Sequence, residues 1–223
     1  MIPVITIDGP SGAGKGTISR LVAAEKGFHL LDSGALYRLT ALSCVNQNVD
    51  VENISQVAVT AANMDIVFEV DDELTRTRLS GQDVSKAIRE ERIGMLASRV
   101  AAYPALRQAL LERQRTFRQA PGLVADGRDM GTVVFPDASL KIFLTASAEE
   151  RARRRLLQLG ESLDNKQAYS TILKDIVDRD EKDSQRKTAP LKPAADALVL
   201  DATDMSIKEV KTFILNKLSK VES

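Results

Sequence analysis

The sequence predicts an α/β fold: a central parallel sheet with helices on both faces, carrying a smaller α+β insert. Three observations predict it. Short apolar, β-branched runs alternate with segments of helical spacing, the pattern of a sheet buried on both sides. A glycine-rich stretch, Gly9–Thr17, stands directly between the first such run and the first helical segment. From about residue 60 to about residue 120 the pattern changes to solvated, alternating strands followed by two helices.

Taken in order, Pro3–Asp8 is a β-branched run ending at glycine and reads as a buried strand. Lys15–Lys26 places Ile18, Leu21, Val22 and Glu25 at helical spacing. Phe28–Leu31 is a second short strand and Gly34–Val45 a second helix. Leu123–Asp126, Leu140–Leu144 and Ala197–Leu200 are further strands, and Ile207–Leu218 is the closing helix. In the middle, Asp65–Val70 and Glu73–Leu79 alternate like a solvated β pair turning at Asp71-Asp72. Two helices follow, Glu90–Ala102 and Pro104–Gln119, the second opened by a first-turn proline. The expected organisation is a core of residues 1–60 and 121–223, an insert of residues 61–120, and a short helical lid at about 150–188.

Composition narrows the class. A chain of 223 residues, 43% hydrophobic, can bury one sizeable core. Lys plus Arg and Asp plus Glu both total 31, so nothing suggests a nucleic-acid polymer as partner; any basic site is local. The single cysteine, Cys44, allows no internal disulfide and falls in an apolar stretch, as a small core residue would. The N-terminal residues do not read as a signal peptide and no apolar run is long enough to span a bilayer, so the expected location is cytoplasmic. No separate apolar stripe stands out, and a monomer is expected.

The strongest chemical signal is Gly9-Pro10-Ser11-Gly12-Ala13-Gly14-Lys15-Gly16-Thr17. It contains G-x-x-x-x-G-K after a strand and before a helix, the context that marks a phosphate-binding loop. Glycines let backbone N–H groups converge on phosphate oxygens, and the helix N-terminus adds donors and partial positive charge. Lys15 can follow the charge on the β- and γ-phosphates of ATP. The residue after the lysine is Gly16 rather than Ser or Thr, so the usual direct Mg²⁺ ligand is absent and the hydroxyl comes one step later, at Thr17. Mg²⁺ is therefore expected to be held by phosphates and waters, with Thr17 facing a phosphate. Asp126, at the end of a strand beside the loop, is the candidate for the outer shell of the ion.

The spelling G-x-x-G-x-G-K-G-T resembles nucleoside monophosphate kinases, and with them the P-loop kinase fold. Further segments resemble bacterial cytidylate kinases: Leu31-Asp32-Ser33-Gly34-Ala35-Leu36-Tyr37-Arg38, Gly81-Gln82-Asp83-Val84-Ser85, and Asp126-Gly127-Arg128-Asp129-Met130-Gly131-Thr132. Arg179-Asp180, Asp183 and Arg186, followed by Ala189-Pro190-Leu191, are similar to that family's lid. The resemblance runs along nearly the whole chain. It implies transfer of the γ-phosphoryl group of ATP to CMP or dCMP, with Mg²⁺ as cofactor and the acceptor docking between insert and sheet.

The residue chemistry agrees. His29 is the sole histidine and reads as a packing or surface residue, so no imidazole base is at hand. A phosphate acceptor needs none, because its second pKa lies near about 6 and it is mostly dianionic at neutral pH. Such a reaction does need cations, and arginine suits phosphate through its planar fork. The resemblance implies Lys15, Arg128 and Arg186 as the catalytic cations, with Arg38 and Arg128 on the acceptor phosphate. It assigns Asp129, Arg107 and Ser98 to the base, Asp183 and Arg179 to the ribose hydroxyls, and Ser33 to the CMP site. A carboxylate accepts from the N4 amino group of cytosine and is repelled by the oxygen uracil carries there. Arg151, Arg153, Arg154 and Arg155 form a denser run that reads either as a solvated helix face or as a source of a contact to ATP.

Two other readings fit the loop alone. One is another small P-loop kinase, acting on AMP or on a metabolite hydroxyl; the Asp-Gly-Phe-Pro-Arg segment that adenylate kinases carry is absent. The other is a nucleotide-binding module without turnover; the guanine-reading Asn-Lys-x-Asp is missing.

Overall fold

The structure is a computed structural model that describes residues 2–70 and 75–222. In chain order, β1 (Val4–Asp8) leads into α1 (Lys15–Lys26), then β2 (His29–Asp32), α2 (Ser33–Asn46) and α3 (Ile54–Ala62). Three strands follow, β3 (Ile66–Val70), β4 (Thr75–Leu79) and β5 (Gln82–Asp83), then α4 (Glu91–Val100) and α5 (Pro104–Arg115). The chain continues through β6 (Leu123–Gly127), β7 (Leu140–Thr145), α6 (Ala148–Gln158), α7 (Lys166–Ser184), β8 (Leu198–Asp201) and α8 (Ile207–Glu222). It divides into two compact units, Met1–Leu31 with Arg118–Ser223, and Asp32–Phe117.

The first unit holds a five-stranded sheet in the order β2-β6-β1-β7-β8, with β1 parallel to both β6 and β7, and β7 parallel to β8. Alternation explains which residues meet. Ile5 and Ile7 of β1, Val124 of β6, Ile142 and Leu144 of β7 and Leu200 of β8 belong to one core cluster with Ile18 and Val22 of α1 and Val210, Ile214 and Leu218 of α8. Each such side chain contributes about 1.5–3 kcal/mol on burial. Thr6 and Asp8 alternate with Ile5 and Ile7, and are also buried. This brings a carboxylate to the end of the central strand, where the phosphate loop begins. The outer strand β8 is more exposed, with Val199 60% accessible.

Capping residues explain the helix starts. Asp32 caps α2 by accepting from the Ala35 amide at 2.9 Å, so this helix begins at Ser33, one residue before the sequence expectation. Ser147 caps α6 through the Glu150 amide, and Asn165 caps α7 through that of Ala168. Helix α5 ends at Arg115 rather than Gln119: the Thr116 hydroxyl bonds back to the Arg113 carbonyl and the chain turns towards β6.

In the second unit, β3 and β4 pair antiparallel with Ile66 opposite Leu79, and β5 adds a third strand beside β4. The turn expected at Asp71-Asp72 lies outside the described residues. Helix α3 has no counterpart in the sequence reading. Its signal is local: Asn53 accepts from the Gln56 amide at 3.2 Å, ahead of the buried Val57, Thr60 and Ala61. Cys44 is fully buried in α2, as expected, and burial pushes its thiol pKa up. No helix among the described residues is long and apolar enough to cross a membrane.

Candidate active site

The phosphate loop forms where β1 ends. At Gly9 the backbone takes φ +149°, and a Cβ there would lie 1.9 Å from the carbonyl oxygen of Leu144. The loop can thus leave β1 pressed against β7 only with glycine at this position. Gly14 adopts φ 91° and passes the chain into α1. Lys15, only 6% exposed, donates from Nζ to the Pro10 carbonyl at 2.9 Å and lies 3.9 Å from Asp126. Its ammonium is therefore held across the mouth of its own loop. Gly16 and Thr17 are exposed. A Cβ on Gly16 would be 3.4 Å from an oxygen of Asp126, so the glycine lets the loop pass close to that buried carboxylate.

Asp126 faces Ile7 in the register of β6 with β1, and the turn that follows β6 carries Arg128 and Asp129. Asp129 is 3% exposed; its carbonyl accepts from the Val133 and Val134 amides and opens the π-helical turn Met130–Val134. Arg128 donates from Nε to Asp183 at 3.0 Å. Arg186 reaches the other oxygen of the same carboxylate, also at 3.0 Å. Asp183 is 6% exposed, at the end of α7, and Arg179 lies one turn before it. The structure thus brings together Arg128, Asp183 and Arg186 among the residues singled out from the sequence.

Asp8 was not singled out from the sequence. Its two carboxylate oxygens accept the amide hydrogens of Met130 and Gly131, both at 2.8 Å. Burial pushes its pKa up to about 6, against the lowering effect of those two amides. A carboxylate directly before the first loop glycine was the available signal.

The arginine run divides in two. Arg151 is 4% exposed and fully engaged by the protein: Nε donates to the Ala146 carbonyl, one terminal nitrogen to the Ser11 carbonyl of the phosphate loop at 3.0 Å, and the other to Asp180 at 2.6 Å. It ties loop, α6 and α7 together. Arg153 and Arg154 both pair with Glu150, whose pKa they lower to about 2. Arg153 is exposed, whereas Arg154 is half-buried and also donates to the Ala202 carbonyl at 2.7 Å. His29 is exposed, with Nε2 3.0 Å from the Ala120 carbonyl, and belongs to surface packing.

In the second unit, the Ser33 hydroxyl donates to Gln114 at 2.6 Å, well buried. Arg38 donates to the Ile88 carbonyl at 2.8 Å and lies so close to Gly94 that a Cβ there would be 2.9 Å from its guanidinium. Ser98 is half-buried one helical turn beyond Gly94 on α4. Arg107 donates to the Ala101 carbonyl and places its guanidinium 5.6 Å from the centre of the Tyr37 ring, next in sequence to Arg38. The four residues thus gather on α2, α4 and α5 of this unit.

Among the described residues there is no group of three or more His, Cys, Asp or Glu that could hold a metal ion. Of the two buried carboxylates at the loop, Asp8 has both oxygens engaged by the Met130 and Gly131 amides, which leaves Asp126 as the candidate donor, with no hydroxyl at position 16. These residues fit a divalent cation carried in by a nucleotide's phosphates, which usually keeps several waters, and not an all-protein cage.

Comparison with known proteins identifies the family. The family profile described as cytidylate kinase matches residues 5–220. The chain is 63% identical over 215 residues to the cytidylate kinase of Saccharophagus degradans, covering 96% of each protein. It is 57% identical over 220 residues to that of Pseudomonas paraeruginosa, covering 96% of this chain and 94% of the relative. With the cytidylate kinase of Aeromonas hydrophila it shares 55% identity over 215 residues, 96% of this chain and 93% of that one. With a profile match over nearly its whole length and relatives this similar along it, the chain belongs to the cytidylate kinase family.

Proposed function

We propose that this chain transfers the γ-phosphoryl group of ATP to the phosphate of CMP or dCMP, giving ADP and CDP or dCDP. The observation that carries the reading is the part-buried cluster of Arg128 and Arg186 around the buried Asp183, in the unit that bears the phosphate loop. Two guanidiniums on one carboxylate leave a net positive charge, which suits a site where two phosphates must approach. In the reaction an acceptor phosphate oxygen attacks the γ-phosphorus in line while the bond to the β-bridging oxygen breaks. The acceptor is already a dianion, so no general base is required.

In this reading Gly9–Thr17 cradle the ATP phosphates, Lys15 follows the transferring group, and Arg128 and Arg186 stabilise its charge. Ser33, Arg38, Ser98, Arg107, Arg128, Asp129, Arg179 and Asp183 bind CMP. Asp129, buried and backed by the π-helical turn, accepts from the cytosine amino group. Asp126 would hold a Mg²⁺ ion that enters with ATP, in its outer shell, and the ion would supply charge neutralisation to the phosphates. Residues 61–120 form the acceptor-binding insert and residues 150–188 a lid that excludes water, which would otherwise take the phosphoryl group. The protein acts as a cytoplasmic monomer on small molecules.

A coupled ADP-release assay with CMP, dCMP, UMP and AMP tests the assignment. CMP and dCMP should be turned over fastest; faster turnover of AMP or UMP overturns it. Asp129→Ala should lose on the order of 1–3 kcal/mol of CMP-over-UMP discrimination. Unchanged discrimination in that variant removes Asp129 from the base site.

A further inference from the structure

We propose that Asp8 is a positioning residue for base selection: its carboxylate anchors the turn bearing Asp129 to the root of the phosphate loop. The proposal rests on the reading of Asp129 as the base-selecting carboxylate.

Asp8 is the last residue of β1 and directly precedes Gly9. Its Oδ1 takes the Met130 amide hydrogen and its Oδ2 that of Gly131, each at 2.8 Å. Met130 directly follows Asp129. The approach is close because residue 131 is glycine: a Cβ there would lie 2.9 Å from the Thr6 hydroxyl and 3.2 Å from the Lys141 chain. One buried side chain therefore fixes the base-reading turn relative to the strand from which the donor loop springs.

The function depends on ionisation. A carboxylate offers an acceptor to both amides, whereas a protonated carboxyl or an amide side chain sets a donor against one of them. Burial is the main cause that raises the pKa of Asp8 to about 6, with the neighbouring Asp129 charge acting in the same direction and Lys15 against it. Asp126 on β6 lies towards Lys15, and Lys141 on β7 is committed to the Pro136 carbonyl and Asp196. Asp8 thus changes charge in a mildly acidic range, and the hold on the turn weakens with it.

The test is the ratio of kcat/KM for CMP to that for UMP, because both acceptors share the same phosphate titration and it cancels. In the unmodified protein the ratio should fall at least about threefold between about pH 7.5 and about pH 5. Asp8→Asn should lower it on the order of tenfold at about pH 7.5 and flatten its pH dependence. The KM for ATP should change less than about threefold, since both bonds run to the base-reading turn. An Asp8→Asn variant that keeps the wild-type ratio overturns the proposal, as does one in which ATP and CMP binding weaken equally. If the variant does not fold, the pH profile of the unmodified protein decides, and a flat ratio overturns the proposal. Asp129→Ala separates the two levels: if it loses discrimination while Asp8→Asn does not, only the role of Asp8 falls. If Asp129→Ala keeps discrimination, the base-reading assignment itself falls.

Discussion

Arg128 and Asp183 form a part-buried ion pair, Nε to carboxylate at 3.0 Å, with side chains 20% and 8% exposed. The pair joins the turn after β6 to the end of α7, and Arg186 shares its carboxylate. An ion pair in this setting holds the arginine fork in one orientation, and removing either partner leaves a poorly solvated charge behind.

Asp183→Asn should therefore act on both arginines. We expect the KM for CMP to rise by about tenfold or more and kcat to fall. A double-mutant cycle with Arg128→Met should give a coupling of about 1–3 kcal/mol in kcat/KM. Additivity of the two variants would show that the pair does not act as a unit.

Arg151 should behave as a strut and Arg153 as a surface residue. Arg151→Met removes donors from Ser11, Ala146 and Asp180 together. A loss of about 3 kcal/mol is expected in urea unfolding, with weaker ATP binding as the Ser11 carbonyl is released. Arg153→Ala breaks an exposed pair with Glu150, which Arg154 still holds, and should lower the unfolding midpoint far less than Arg151→Met. Equal effects from both would contradict the division of the arginine run.

Gly9 and Gly14 of the loop should differ. At Gly9 a Cβ meets the Leu144 carbonyl oxygen at 1.9 Å, so Gly9→Ala must move backbone. A cost above about 3 kcal/mol and loss of nucleotide binding are expected. At Gly14 nothing lies within 4 Å of the added carbon, and only the conformation at φ +91° resists substitution. Gly14→Ala should cost about 1–2 kcal/mol. Thermal unfolding with and without ATP measures both.

Stability should carry the signature of Asp8. Its pKa is raised from 3.8 to about 6, so folding binds its proton more tightly. The stability contribution is fully present below about 3.8 and is lost as pH rises through about 6, by roughly 3 kcal/mol. Wild type minus Asp8→Asn, measured by urea unfolding from about pH 4 to about pH 7, should fall with rising pH by that order. Glu150 works the other way. Its pKa is lowered from 4.5 to about 2, chiefly by its hydrogen bond to Arg153, so its contribution is present above 4.5 and lost as pH falls through 2. A flat wild-type minus Asp8→Asn difference would show that Asp8 keeps an ordinary pKa.

The sequence by itself determined the parallel sheet, the phosphate loop and the family. Strand alternation and the glycine spacing before α1 are local patterns, set by backbone sterics and by which faces must be buried. That is why β1, α1, β6, β7 and α8 were legible to within a few residues. Helix α3 went unread because its evidence is a single capping pair, Asn53 with the Gln56 amide, over a short apolar face. What only the tertiary structure decided is partnership between residues far apart in the chain. Asp8 meets Gly131 across 123 positions, Arg151 meets Ser11 across 140, and Arg128 meets Asp183 across 55. No periodicity encodes such pairs. They arise because a parallel sheet brings the ends of distant strands to one edge, where buried polar groups must find each other or lose the hydrogen bonds that water would have supplied.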